Sequence, residues 1–338
     1  MKIYCGIDLH SNNSVVAMTD ENDQIIYQKR LRNELELILE KLEPFKDNIQ
    51  GIVVESTYNW YWLVDGLIEA GYTVHLAHIT GIQQYSGLKY TDDNHDARWL
   101  AHMLRIGVLM EGYIYPKKDR AIRDLLRKRS QMVKQKVSQM LAMVGLFSRN
   151  TGKSVNANYI RKLTEDEIDK IFSDSNLAFA MKSNLAVMRC TETQIEYLEQ
   201  QVLQQGKLKP EFKQLKTASG IGNILALTIM LETGDIRRFS KAGNYSSYCR
   251  SVEGKKISNG KKKGKGNSKN GNKYLAWAFM EAANFAIRYN PKIKQFYQRK
   301  MGQTNKISAI NAVGHKLSRA CYYMMRDQVP FDVDKAFV

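Results

Sequence analysis

The sequence predicts an α/β domain with a mixed sheet over residues 1–116, then a helical coiled-coil region over 117–207 and a mainly α-helical domain over 208–338. Three observations carry that reading. Short β-branched runs alternate with amphipathic stretches as far as residue 116. A long apolar repeat of helical period follows. Charge divides at the same place: residues 1–116 hold 9 Lys+Arg against 16 Asp+Glu, a net of −7, and the remainder holds 42 against 18, a net of +24. An acidic part joined to a strongly basic one suits a metal-binding catalytic module attached to a polyanion-binding one.

In the first region, strands are predicted over 2–8, 14–19, 24–31, 51–55 and 73–77, and helices over 34–46, 60–71 and 92–106. Only the polar turns Ser11-Asn12-Asn13 and Asp20-Glu21-Asn22-Asp23 join the first three strands, leaving no room for a helical crossover. Those strands must form an antiparallel meander, with later strands added through helices. A three-strand meander followed by helix, strand, helix, strand and helix resembles the order of a ribonuclease-H-like fold.

One long helix is predicted from about 118 to 148, with Ile122, Leu126, Val133, Val137, Met140 and Val144 on its apolar seam. A second seam runs through Leu177, Met181, Leu185, Met188, Ile195, Leu198 and Val202. Two such seams imply an antiparallel helical pair or a coiled coil joining two protomers. The first helix also carries Arg120, Arg123, Arg127, Lys128, Arg129, Lys134 and Lys136, so its outer side is a candidate track for a phosphate backbone.

The third region opens with Gly220-Ile221-Gly222 between helices, a turn whose backbone amides can approach a phosphate, as in a helix-hairpin-helix. Residues 250–273 are the most biased stretch, with 9 Lys+Arg, one Glu and five Gly. Such a segment buries no core and is expected to be mobile until it meets a polyanion. Beyond Tyr274 the pattern is helical, with apolar faces through Trp277, Phe279, Phe285, Val313, Leu317 and Tyr322.

Four cysteines, Cys5, Cys190, Cys249 and Cys321, lack any paired spacing, which argues against a zinc knuckle or a disulfide framework and for a reducing cytoplasm. Asp8 interrupts the N-terminal apolar stretch too early for a secretory signal, and no segment reaches the roughly 18 apolar residues of a membrane span. A soluble, cytoplasmic protein is expected.

Four acids carry the chemistry. Asp8 and Glu55 each close an apolar run with the character of a buried strand, where a carboxylate is costly unless a cation meets it. Asp93 and Asp96 lie three apart at the start of a helical pattern and so share one face. Adjacent strand ends and a helix face can gather four oxygen donors around one or two hard divalent cations, as nucleases that cut phosphodiesters do. His10 and His95 flank the acids, and Trp60, Tyr61 and Trp62 read as helix-packing aromatics.

Gly6-Ile7-Asp8, Glu55-Ser56-Thr57, Asp93-x-x-Asp96-Ala97-Arg98, Gly220-Ile221-Gly222, Ser268-Lys269-Asn270-Gly271-Asn272 and Val329-Pro330-Phe331-Asp332 occur in the order found in DEDD transposases. The chain thus resembles, over nearly its whole length, the insertion-sequence family one-ten, related to the Piv invertases. The resemblance implies a RuvC-like domain, a coiled-coil insertion and a transposase domain with a nucleophilic serine. It implies Asp8, Glu55, Asp93 and Asp96 as catalytic ligands of Mg²⁺ or Mn²⁺. It further implies a covalent phosphoserine link, donor and target DNA, a structured bridge RNA that pairs with both, and a homo-oligomer, a dimer through the coiled coil or a tetramer in synapsis. The family's serine precedes a glycine upstream of the Ser-Lys-x-Gly motif, an offset that Ser258 matches, with Ser251 as the second candidate. Asp92 is an alternative to Asp93. Nucleic-acid contacts are expected from Gly220, Gly222, Lys255, Lys256, Lys261, Lys262, Lys263, Lys265, Lys269, Arg127 and Lys134.

Three other protein classes share parts of this pattern. Actin-like sugar kinases and ATPases also begin with a strand ending in Gly-Ile-Asp, but they need small residues next, and here Leu9-His10 follow with no later Gly-Gly phosphate loop. A junction resolvase would use the same acids with water as nucleophile. A non-catalytic nucleic-acid-binding protein would keep the basic half yet give four convergent acids no task.

Overall fold

In the computed structural model, residues 1–78, 92–206, 209–265 and 270–337 are described. The chain divides into two compact units, Met1–Lys117 and Lys118–Val338. Among the described residues no helix is long and apolar enough to cross a membrane.

The first unit is built on β1 (Ile3–Leu9), β2 (Asn13–Thr19), β3 (Ile25–Arg32), β4 (Ile49–Glu55) and β5 (Val74–Ala77). Their order in the sheet is β3-β2-β1-β4-β5. The first three strands form the antiparallel meander that their short polar turns require, and β4 and β5 join in parallel. The helices are α1 (Leu35–Leu42), α2 (Tyr61–Glu69) and α3 (Asp93–Arg105). This is the mixed sheet with helices that the sequence predicts. The helix expected over 34–46 is shorter, because Pro44 has no amide to donate and α1 gives way to a 3₁₀ turn over Glu43–Asn48.

Alternation along the strands assigns each face its task. Ile3, Cys5, Ile7, Leu9, Ile52 and Val54 pack with α1 and α2 residues such as Ile38, Leu42, Leu63 and Leu67. The opposite face is lined with small side chains where α3 crosses it. A Cβ on Gly6 would meet the Ala97 carbonyl oxygen at 2.0 Å and the Ala101 nitrogen at 2.8 Å. Val15 and Ala17 of β2 pack against Ala97, and Val53 against Leu100 and Met103. Backbone-to-backbone contact of this kind tolerates only glycine at position 6.

The second unit begins with α4 (Lys117–Thr151), then α5 (Ala157–Lys162), α6 (Glu165–Ile171) and α7 (Ser175–Gly206). Ion pairs Arg129–Glu199 and Lys136–Glu192 rise along α4 and fall along α7, so the two helices run antiparallel within one chain. Met143 and Phe147 of α4 and Met181, Leu185 and Met188 of α7 share a core with α5 and α6. Ile122, Leu126 and Val202 pack instead into the C-terminal core, which is why the helical pair and the C-terminal helices fall in one unit. Arg120 and Arg123 are buried, 5 % and 8 % exposed, so they face inward rather than along an outer phosphate track.

The C-terminal helices are α8 (Pro210–Leu215), α9 (Asn223–Thr233), α10 (Ala242–Tyr248), α11 (Lys273–Tyr289), α12 (Pro291–Gln303), α13 (Lys306–Asp327) and α14 (Val333–Ala336). Between α10 and α11 lies an antiparallel hairpin, β6 (Lys255–Ser258) and β7 (Lys261–Lys265). The basic segment expected to be mobile thus contains a pair of strands. Its turn is Asn259-Gly260, with φ of 50° and 69°, the double positive φ of a type I′ hairpin.

Substitution of two glycines separates close packing from helix propensity. Gly6→Ala is expected to destabilise the first unit by about 1–3 kcal/mol through overpacking. Gly145→Ala, in open space within α4, is expected to stabilise the second by roughly 0.5–1 kcal/mol. Chemical denaturation of both variants checks the opposite signs.

Candidate active site

Asp8 sits at the C-terminal end of β1, one residue beyond the pair Ile7↔Val54, and Glu55 ends the neighbouring parallel strand β4. The register therefore sets the two carboxylates side by side. Asp8 is two residues beyond Gly6 and Glu55 two beyond Val53, so both share the face that α3 covers. Asp93 lies one helical turn before Ala97, the residue that touches Gly6. The close approach of α3 to β1 thus carries Asp93 and Asp96 to the ends of the two strands.

Both ends of α3 are tied down. At its start, Arg30 of β3 donates to Asp93 Oδ2 at 2.6 Å, and Gln28 donates to the Asn94 carbonyl at 3.1 Å. At its end, Arg105 donates through Nε and Nη2 to the Asp23 carboxylate at 2.8 and 2.6 Å, and His102 Nδ1 lies 3.0 Å from it. The strand ends are held in turn by Asn33 and Asn59, whose amide groups each donate to the His10 carbonyl at 3.0 Å. Thr57 orients Asn59 with a 2.9 Å hydrogen bond. Asp92 is otherwise engaged: its Oδ1 accepts the His95 backbone N–H at 2.7 Å and caps the helix.

The electrostatics are those of crowded like charges. Asp8 is 3 % exposed. Burial, and then the hydrogen bond and charge of Asp8, push the Glu55 carboxyl up to about 9. Asp96 is raised as well, by burial and then by Asp8. Asp93 is held below the ordinary value by its hydrogen bond with Arg30. Asp96 Oδ1 is buried with no hydrogen bond, and His95 Nδ1 stands 3.7 Å from it. His10 Nε2 lies 3.2 Å from Asp8 Oδ2 and 3.3 Å from Asp93 Oδ2, and these three residues form a cluster able to hold a metal ion. Four carboxylates, two of them raised and one with an unsatisfied buried oxygen, fit a hard divalent cation.

Two family models match the chain. A DEDD transposase model of the IS110 group spans residues 5–147, and the model for the transposase IS116/IS110/IS902 family spans 213–298. The chain belongs to the IS110 family of transposases. No curated protein gives a significant match to it. As a transposase it is an enzyme that cuts and rejoins DNA, and DEDD transposases generally use a divalent metal.

The remaining predicted residues lie in the second unit. Ser258 is exposed at the end of β6, directly before the Asn259-Gly260 turn, and Ser251 is half-buried with its backbone N–H donating to the Ser246 carbonyl. Lys255, Lys256, Lys261, Lys262 and Lys265 belong to the hairpin strands, as does Lys263, and of these Lys261 and Lys263 are exposed. Lys269 lies outside the described residues. Lys134 is exposed on α4, whereas Arg127 is paired with the buried Glu232 at 2.6 Å. Gly220, at φ +87°, is required by packing, since a Cβ there would meet the Ala282 carbonyl oxygen at 2.4 Å. Gly222 caps α9 with open space around it. In the sequence His10 appears only as a flank of the acids, and Arg30 had no signal beyond its place on the third meander strand.

Because Glu55 has a raised folded-state pKa, its protonated form favours the fold. That contribution is complete below the unfolded value of 4.5 and is lost as the pH climbs towards about 9. Thermal unfolding of the metal-free protein should show stability falling over this window, more steeply than in Glu55→Gln, and excess Mg²⁺ should flatten the wild-type curve. Parallel curves for wild type and Glu55→Gln would contradict the shift.

Proposed function

We propose that the chain is a recombinase of an insertion sequence that cuts DNA at a Mg²⁺- or Mn²⁺-loaded site and carries the broken strand on Ser258. The observation supporting it most directly is the convergence of Asp8, Glu55, Asp93 and Asp96, with the Glu55 and Asp96 carboxyls raised by burial and then by Asp8. In this reading those four acids hold the metal, and Asp92 caps α3 instead of competing for it. A bound divalent ion supplies Lewis-acid stabilisation of charge developing on the phosphate.

Ser258 is the nucleophile in this account, favoured by its exposure and by its place beside a tight turn that presents it at the hairpin tip. Its Oγ attacks phosphorus and gives up its proton, one P–O ester bond breaks, and the departing sugar oxygen takes a proton. The ester to Ser258 preserves the bond for rejoining, when a DNA hydroxyl attacks and the serine leaves. The hairpin lysines 255, 256, 261, 262, 263 and 265, together with Lys134, would neutralise phosphate backbone. Gly222 would offer its open cap to a phosphate. Arg127 is left out, because Glu232 holds its guanidinium.

Sequence choice belongs, in this reading, to a structured bridge RNA pairing with donor and target DNA, while the protein contacts backbone and shape. Apolar residues left exposed on the helical pair, including Leu141 at 62 % and Phe179 at 73 %, support association of copies through that pair, as a dimer or within a synaptic tetramer.

Ser258→Ala should abolish both strand joining and the covalent protein–DNA adduct seen on denaturing gels, with Ser251→Ala close to wild type. Cleavage that persists in Ser258→Ala without adduct would indicate a water-using nuclease. Sequencing of co-purifying RNA should return one defined structured species; a random cellular mixture would contradict guidance.

A further inference from the structure

The hairpin that bears Ser258 leaves the helical core at Arg250 and returns at Asn272, and both roots are stitched to the end of α10. The Arg250 guanidinium donates to the Gly271 carbonyl through Nε at 3.1 Å and Nη2 at 2.9 Å. The Ser251 N–H reaches the Ser246 carbonyl at 3.0 Å, and the Asn272 N–H reaches the Tyr248 carbonyl at 2.7 Å. Gly271, at φ +89°, sits so close that a Cβ would meet the Tyr248 carbonyl oxygen at 2.5 Å.

Behind this seam lies a carboxylate that the proposed reaction does not use. Glu232, near the end of the apolar helix α9, is 2 % exposed. Its Oε1 accepts from Arg127 Nε at 2.6 Å, and its Oε2 accepts from Arg127 Nη2 at 2.8 Å and from Asn272 Nδ2 at 2.8 Å. Asn272 is thereby fully employed: its Oδ1 caps α11 by accepting from the Tyr274 and Leu275 amides at 2.8 and 3.1 Å. The Arg127 guanidinium also lies over the Tyr274 ring, 4.8 Å from its centroid. A buried charge is tolerated only with partners, and here the two partners come from the long helix α4 and from the root of the serine hairpin.

We propose that Glu232, with Arg127 and Asn272, is the positioning element of the serine arm. It locks the returning root of the hairpin to α9 and α4, so that the hydroxyl at the tip is presented from a fixed base. The proposal rests on the reading of Ser258 as nucleophile, and none of the three residues touches the reacting atoms. Rigid presentation matters because small misplacement of a reacting group slows the chemical step without weakening binding.

The decisive variant is Asn272→Ser in the full chain. A serine hydroxyl still caps α11, but it cannot donate to Glu232 as the asparagine amide does. Glu232→Gln is the second variant, and it applies even if the first fails to fold. A nitroxide is placed at Ser258→Cys in a Cys190→Ser background, since Cys190 is exposed and the other three cysteines are buried. Both variants should increase nitroxide mobility at the tip while leaving circular dichroism as in the parent. With Ser258 restored, covalent adduct on DNA spanning the element's ends should form roughly tenfold more slowly or worse, at unchanged DNA affinity. Unchanged nitroxide mobility in a folded variant overturns the proposal, as does a slower adduct accompanied by an unchanged spectrum. The spectrum needs no chemistry at Ser258, so an adduct that survives Ser258→Ala would remove the nucleophile reading while the mobility measurement still decides the tether.

Discussion

The whole first unit is organised around one unfavourable interaction, two carboxylates side by side at the ends of neighbouring parallel strands. Burial above all, then the hydrogen bond and charge of Asp8, raises the Glu55 carboxyl well above its ordinary value. The fold brings more acid to the same place instead of relieving it. Gly6, Ala17, Ala97 and Ala101 let α3 lie against the strands at backbone contact, and Arg30 and Asp23 pin its two ends. Such strain persists only where the surrounding structure fixes it, and the donor set it leaves fits positive charge.

The second unit answers with the opposite electrostatics. Its most lysine-rich stretch is concentrated on a hairpin whose tip presents a serine and whose roots are sewn into an apolar helical core. In the proposed reaction such an arm would combine two demands, attraction to phosphate and a hydroxyl held at a defined place. The buried Glu232 couples the arm's root to α4, the helix whose antiparallel partnership with α7 shapes the rest of the unit.

Much of the first unit was legible in the sequence, because short polar turns leave consecutive strands no alternative to antiparallel pairing. Asp8 and Glu55, two of the four acids that the fold gathers, were legible for a related reason: a carboxylate closing a β-branched run is anomalous enough to read alone. What escaped had local competitors. Pro44 stops α1 within a pattern that otherwise reads as helical. Lysine content around residue 260 masked Asn259-Gly260, the strongest short-range hairpin signal in the segment. Arg120, Arg123 and Arg127 read as an outer basic stripe, yet two are buried and the third is held by a glutamate 105 residues away, a partnership no periodicity reveals. Gly220 looked like a phosphate turn, and its packing against α11 is explained by a contact distant in sequence. That Asp92 caps α3 was within reach, since an acid just before a helical pattern is a capping signal.

Calorimetric titration of the full chain with Mg²⁺ or Mn²⁺, at neutral pH in two buffers of different ionisation heat, tests the central claim most directly. Saturable binding with net proton release is predicted for the wild type, because the cation would displace the proton that burial and then Asp8 favour on Glu55. Both should disappear in Asp8→Asn. Equal binding by wild type and Asp8→Asn, or binding with no proton released, would contradict the account.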